Sequence, residues 1–345
     1  MKVAVIGAGA IGGYVGGMLA RSGVEVSLLA RGAHLQAMQS RGLRVQGPPS
    51  DLDADGLDFT VHPKASDDPA ALGRQDVLIV SVKGPALPDL APRLAPMLGP
   101  DTVIVPAMNG IPYWYFHAHP GPFAGRQLAS VDPGGVIWKA LPPERVLGCV
   151  VWLPASVPQP GLVRAIEPAM LELGEPDGTQ SARSASIAQM LTAAGIQAPV
   201  RPLIRQTIWV KLWGNMSLSP CAVLTGSTLG QLVGDPGTRA VVMAMMREAQ
   251  AVGEALGIEF PVDVERRIGR IEQNKGHKPS MLQDWEAGRP VEIESIVGVI
   301  GELGGMLGIA TPTIDMIVAL LRRKAAQADA DRRAADQRGA QPAGA

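Results

Sequence analysis

The chain has 345 residues, of which 46% are hydrophobic and 18% charged, with a formal net charge of -1 at pH 7. That length suits two domains with ample core, and the balanced charge argues against nucleic acid or an anionic membrane as partner. The two cysteines, Cys149 and Cys221, form neither a metal spacing nor a disulfide framework, which fits a reduced cytoplasmic setting. No stretch has the pattern of a signal peptide or the length of a membrane span.

Val3 to Ile6 reads as a buried parallel strand. It runs into Gly7-x-Gly9-x-x-Gly12, and Val15, Met18 and Leu19 continue as a helix. Strand, glycine turn and helix in this order form a dinucleotide-binding turn. Gly7 permits the tight turn, Gly9 lets backbone approach a pyrophosphate, and Gly12 lets helix and strand pack closely. Ala10 and Ile11 open the helix, whose free N–H groups and positive dipole end suit phosphate. The plainer alternative is a glycine-rich turn that only packs well.

Glu25 to Leu29 reads as the second strand and ends in Ala30-Arg31-Gly32. A site for NAD usually places a carboxylate there to hold the ribose hydroxyls. Arg31 stands there instead, and a guanidinium suits a 2′-phosphate, so NADP(H) is expected. The alternative is an ordinary solvated arginine.

Further strands are expected at 43–45, 77–82, 102–105, 126–130, 148–151 and 161–165, with helical stretches between them. Val77 to Val82 is almost continuously apolar, as a strand covered on both faces should be. The alternation predicts a doubly wound α/β sheet. Residues 146–173, with Pro-Gly turns, should extend it in antiparallel fashion. A helix near 182–194 and a strand near 197–200 close the first domain at residue 202.

From Leu203 onward the pattern is helical. A helix over 204–218 should stop at Pro220, and one over 238–256 should be capped by Gly257. The latter's Met243, Met245 and Met246 suit core packing better than a ligand box. Helices are also expected over 262–273, 291–307 and 313–323. Residues 203–325 therefore form an all-α domain, and 326–345 read as a frayed helix end and disordered tail. The amphipathic faces would suit a homodimer or a core equally.

Lys83 and Asn109 follow strands directly, where an α/β crevice lies. Lys211 and Asn215 are four apart on one helix and so share a face. A lysine among Trp209, Leu212 and Trp213 either snorkels to water or points at a site. Ser280, Asp284, Glu292 and Glu294 form a last cluster. Taken singly, Ser280 reads as a capping-box residue with Gln283, and Glu292 as first-turn acidity.

Together these motifs resemble the ketopantoate reductase (2-dehydropantoate 2-reductase) family. The resemblance runs in order through the glycine turn, Arg31, Ser81-Val-Lys83, Asn109-Gly110, Lys211-x-x-x-Asn215, Ser280-Met-Leu-Gln-Asp284 and Glu292-Ile-Glu294. It covers residues 1 to about 325. It implies a Rossmann-type N-terminal domain with a C-terminal domain like that of 6-phosphogluconate dehydrogenase. It also implies NADPH-dependent reduction of a 2-oxo acid, ketopantoate to (R)-pantoate, on the route to pantothenate and coenzyme A. Lys211 then matches the general acid and Glu292 its partner. Asn109, Asn215 and Ser280 match substrate ligands. Gly7, Gly9, Ala10, Ile11, Gly12, Arg31, Lys83, Asn109 and Glu292 fall on the cofactor side, and no metal is implied.

Two departures stand out. Ser219, also assigned to substrate, replaces a family asparagine. Tyr113-Trp-Tyr-Phe116 replaces a small glycine-rich loop. If those aromatics line the pocket, the substrate is a bulkier 2-oxo acid or ketone; if they face inward, they are core. A non-catalytic NADP(H) sensor is a third reading, against which Lys211 and Glu292 argue.

Overall fold

Short apolar strands separated by helices build the first half of the chain. The structure is a computed structural model and describes residues 1–49, 55–272 and 276–339. The chain divides into two compact units, Met1–Ile208 and Trp209–Ala345.

In the first unit the order is β1 (Lys2–Ile6), α1 (Ala10–Arg21), β2 (Glu25–Leu29), α2 (Gly32–Arg41), β3 (Leu43–Gly47) and β4 (Leu57–Val61). There follow β5 (Lys64–Ser66), α3 (Pro69–Leu72), β6 (Gln75–Val80), α4 (Leu87–Leu90), β7 (Leu98–Pro106) and α5 (Val136–Ala140). The unit ends with β8 (Gly148–Trp152), β9 (Ala155–Gln159), β10 (Leu162–Ala165), β11 (Met170–Gly174) and α6 (Ala182–Ala193). Five strands form a sheet in the order β5-β2-β1-β6-β7, with every pair parallel. Val3, Ala4, Val5 and Ile6 of the central strand are wholly buried, which accounts for their unbroken apolar run.

The later strands do not extend this sheet. β8 pairs only with β11, while β10 and β9 join β3 and β4 in a separate sheet of order β4-β3-β10-β9. Helix α1 explains the second layer. A Cβ on Gly12 or Gly16 would collide with Val5 or Leu28 of the parallel sheet. One on Gly13 or Gly17 would collide with Val163 or Val45 of the other sheet. Two glycine pairs four residues apart thus let one helix lie close to two sheets. Residues 126–130 form no strand: the amides of Val131 and Asp132 both turn back to the Leu128 carbonyl. The stretch 197–200 pairs with β11 only through single parallel bridges.

The second unit takes up α7 (Ile204–Thr225) from Trp209, then α8 (Leu229–Gly234), α9 (Pro236–Ala255), α10 (Val264–Glu272), α11 (Ser280–Glu286), α12 (Val299–Leu307) and α13 (Pro312–Gly339). Pro220 does not end α7, which runs on to Thr225. A mid-helix proline costs about 3 kcal/mol, and burial of Cys221, Ala222 and Val223 beyond it offsets that cost. Trp213 donates to the Met246 carbonyl at 2.7 Å and packs on Phe260 with ring centroids 4.6 Å apart. Met245 and Met246 are buried in this core. At the end of α9, Gly257 takes a φ of +81° and the amides of Gly257 and Ile258 return to Glu254 and Gly253, a Schellman turn.

The stretch 291–307 is not a plain α-helix, because Glu294–Gly298 form a π-helical turn ahead of α12. Helix α13 continues past Arg323 through an Ala-, Arg- and Gln-rich sequence of high helix propensity. Of the tail expected to be disordered, residues 340–345 lie outside the described residues. The Glu248 carboxylate accepts the amides of Thr313 and Ile314, both at 2.9 Å, and so caps α13 from α9. Glu248→Ala should therefore destabilise the protein by about 1–3 kcal/mol. Chemical denaturation would check this, and a midpoint equal to the wild type would refute the cap.

Candidate active site

The carboxyl ends of β2, β1, β6 and β7 lie side by side and carry Arg31, the Gly7 turn, Lys83 and Asn109 in that order. The turn is built by backbone bonds. The amides of Gly7 and Ala8 both donate to the Leu29 carbonyl at 3.0 Å, and Gly7 takes a φ of +95° that glycine tolerates. Ser81, directly after β6, donates its hydroxyl to the Gly7 carbonyl at 2.9 Å. Gly12 packs on that same bond, since a Cβ there would lie 2.2 Å from Ser81 Oγ and 2.3 Å from the Gly7 oxygen.

Gly9 is different. A Cβ on Gly9 would meet nothing within 4 Å, so the backbone faces open space. No side chain caps α1, and its first turn holds no carboxylate. Half-buried Ala10 and Ile11 follow. An open backbone at a bare helix N-terminus fits a pyrophosphate. Arg31 is exposed at the start of α2, and the half-buried Lys83 heads a short 3-10 turn. Asn109 is half-buried beside Gly110, whose φ is +90°.

His34 of α2 accepts the Gly161 amide on Nδ1 at 2.9 Å, tying α2 to the turn before β10. Burial lowers its pKa, an effect partly opposed by the Ala8 backbone. Sequence reasoning gave no role to His34 or to the Ser81 hydroxyl. The position of Ser81 directly after an apolar strand was the available signal.

The aromatic run is core. Tyr113, Trp114, Tyr115 and Phe116 are at most 5% exposed, and Tyr113 donates its hydroxyl to the Leu141 carbonyl at 2.8 Å. Arg205 lies over the rings of Trp114 and Tyr115. The run therefore gives no reason to expect a bulkier substrate.

In the second unit, Trp209, Leu212, Trp213 and Met216 are buried, while Lys211 and Asn215 on the same helix remain partly exposed. Ser219, one turn on, is 5% exposed. Ser280 is exposed at the first position of α11 and forms no capping box: Pro279 holds the cap position, and Gln283 reaches the Lys278 carbonyl. Asp284 pairs with Arg289 at 2.8 Å. Glu292 is half-buried just before the π turn. Glu294 grips Arg322 with both oxygens and so anchors that turn to α13. Burial pushes the Cys221 thiol up to about 12, which makes it inert. No cluster of metal-ligating side chains exists among the described residues. Among them, no helix is long and apolar enough to cross a membrane.

A parallel sheet with an open phosphate turn, followed by a helical unit presenting a lysine, is the build of a nicotinamide-dependent oxidoreductase. Residues 3–178 match the model of ketopantoate reductase PanE/ApbA, and residues 203–325 match its C-terminal domain. The chain belongs to the ketopantoate reductase family, whose members are oxidoreductases acting on a CH–OH group with NADP(H). A 2-dehydropantoate 2-reductase of Mesorhizobium japonicum is 47% identical over 95% of this chain and 98% of its own length. A crystal structure of a candidate ketopantoate reductase from Ralstonia solanacearum superposes with a TM-score of 0.88 at 43% identity, covering 95% of this chain and 98% of that one. The Geobacter metallireducens 2-dehydropantoate 2-reductase gives 0.80 at 26% identity, with 94% and 100% covered.

Proposed function

We propose that this protein reduces the ketone of 2-dehydropantoate to (R)-pantoate with NADPH. The 47% identity to a curated 2-dehydropantoate 2-reductase, spanning 95% of the chain, carries this reading. When bound, NADPH supplies the hydride. Gly7, Gly9, Ala10, Ile11 and Gly12 hold its pyrophosphate, and Arg31 and Lys83 its 2′-phosphate side. Negative charge develops on the ketone oxygen as C2 is reduced. Lys211 stabilises that charge and gives the oxygen its proton. Glu292 orients the lysine or the new hydroxyl and borders the cofactor with Asn109. Asn109, Asn215, Ser219 and Ser280 hold the substrate's carboxylate and hydroxyl through neutral hydrogen bonds. Two buried cysteines outside any disulfide suit a reducing cytoplasm.

The test is absorbance at the reduced-nicotinamide band with 2-dehydropantoate, NADPH and NADH being run in parallel. Turnover with NADPH and little with NADH is expected; tight NADPH binding without turnover would refute the substrate. Arg31→Ala should weaken NADPH by about 10- to 100-fold, the worth of lost charge-assisted hydrogen bonds, and leave NADH within about twofold. Equal weakening of both would remove Arg31 from the 2′-phosphate.

A further inference from the structure

The side chains assigned to substrate offer neutral donors to an anion, and Lys211 is committed to the ketone oxygen. The helical unit holds another cation beside them. The guanidinium of Arg267, on α10, lies against α7 at Gly214: a Cβ there would sit 3.2 Å from its Nη2. Gly214 adjoins Asn215 and stands three residues from Lys211, and its lack of a side chain lets the guanidinium lie close to the helix at that point.

Arg267 is half-buried, and its Nε is shut off from solvent with no partner. No carboxylate among the described residues answers it. On α10, Glu265 pairs with Arg247 and Glu272 with Arg239, both of α9. The Asp263 carboxylate accepts the Arg266 amide at 2.6 Å. The charged neighbour that Arg267 does feel is Arg270, of like sign; burial and that repulsion both lower its pKa. A desolvated guanidinium without a counterion costs stability in the free protein. An arriving carboxylate would offset that cost.

We propose that Arg267 recognises the carboxylate of the substrate, an inference that rests on the oxo-acid reading above. It supplies the charge that the neutral donors lack, and it sets the preference for a 2-oxo acid over a neutral ketone. The carboxylate meets the terminal nitrogens in the guanidinium's fixed fork.

Arg267→Met tests this with two substrates, 2-dehydropantoate and its methyl ester. The KM for the acid should rise about 10- to 100-fold, the worth of hydrogen bonds to a charged group, with kcat within about threefold. The ester should lose less than about threefold in kcat/KM. Pantoate binding to the enzyme–NADP+ complex, read by calorimetry, should weaken by the same factor as the acid's KM. The Tm should rise, since a half-buried charge without a counterion is removed. A merely structural arginine would show the opposite, a lower Tm with an unchanged acid-to-ester ratio, and that result overturns the proposal. Equal losses on acid and ester overturn it too. If the wild type reduces no 2-dehydropantoate, the activity reading fails by itself. Arg267 then stands if pantoate binding depends on it, and falls if binding is absent or unaffected.

Discussion

Replacing Lys211 with alanine should lower kcat by roughly a hundredfold or more while NADPH binding stays near its wild-type value. Trp209, Leu212, Trp213 and Met216 fix α7 in its core, so the helix face carrying Lys211 is held whatever occupies that position. Alanine is the strongest helix former, and the side chain removed is partly exposed, so the fold has little to lose. What disappears is an ammonium that can both stabilise an oxyanion and protonate it. Steady-state kinetics with cofactor binding measured separately would check the result. An unchanged kcat would take Lys211 out of the mechanism, and lost NADPH binding would move it to the cofactor.

Gly12→Ala should collapse the nucleotide turn. The new methyl would lie 2.3 Å from the backbone oxygen of Gly7, which cannot swing aside as a side chain can, and 2.8 Å from Val5 of the central strand. Ser81 holds that oxygen in place through its hydroxyl. Overpacking of this kind costs about 3 kcal/mol or more when backbone must move. A fall in Tm together with loss of NADPH binding is expected. Gly9→Ala provides the contrast, because its methyl meets nothing. That variant should keep the wild-type Tm yet bind NADPH less tightly, as the methyl occupies the phosphate's space. Loss of stability at Gly9, or full NADPH affinity in either variant, would show that the turn is not the phosphate cradle.

The parts of this protein legible in its sequence are those with local causes. β2 spans Glu25–Leu29 as the apolar run marks it, and α6 and α9 start and stop near their capping residues. By contrast, β5, Lys-Ala-Ser at a sheet edge, is too short and polar to announce itself, whereas β4 alternates apolar and polar residues from Leu57 to Val61 yet is not among the expected strands. Residues 126–130, expected as a strand, carry only Leu128 and Ala129 as apolar side chains, and the backbone bonds return locally to Leu128. Pro220 reads as a stop, and burial beyond it overrules that reading.

The residues proposed for function divide in the same way. Gly7, Gly9, Gly12 and the Lys211–Asn215 spacing are visible as patterns, because a tight turn and a helical repeat each impose a fixed spacing. Whether Tyr113–Phe116 lines a pocket or fills a core could not be read from composition, since an aromatic ring serves either purpose. Nothing in the sequence singles out Arg267, because the sequence does not show that Glu265 and Glu272 turn to other arginines.

The sequence by itself determined the nucleotide turn, the order of α/β and helical units, and the family, because these rest on spacings along one chain. Only the tertiary structure decided which glycines face which sheet, that the aromatic run is core, that Glu294 is bound to Arg322, and that Arg267 lacks a counterion. Those outcomes depend on which distant residues meet, and burial and charge pairing are set by contacts that no local pattern encodes.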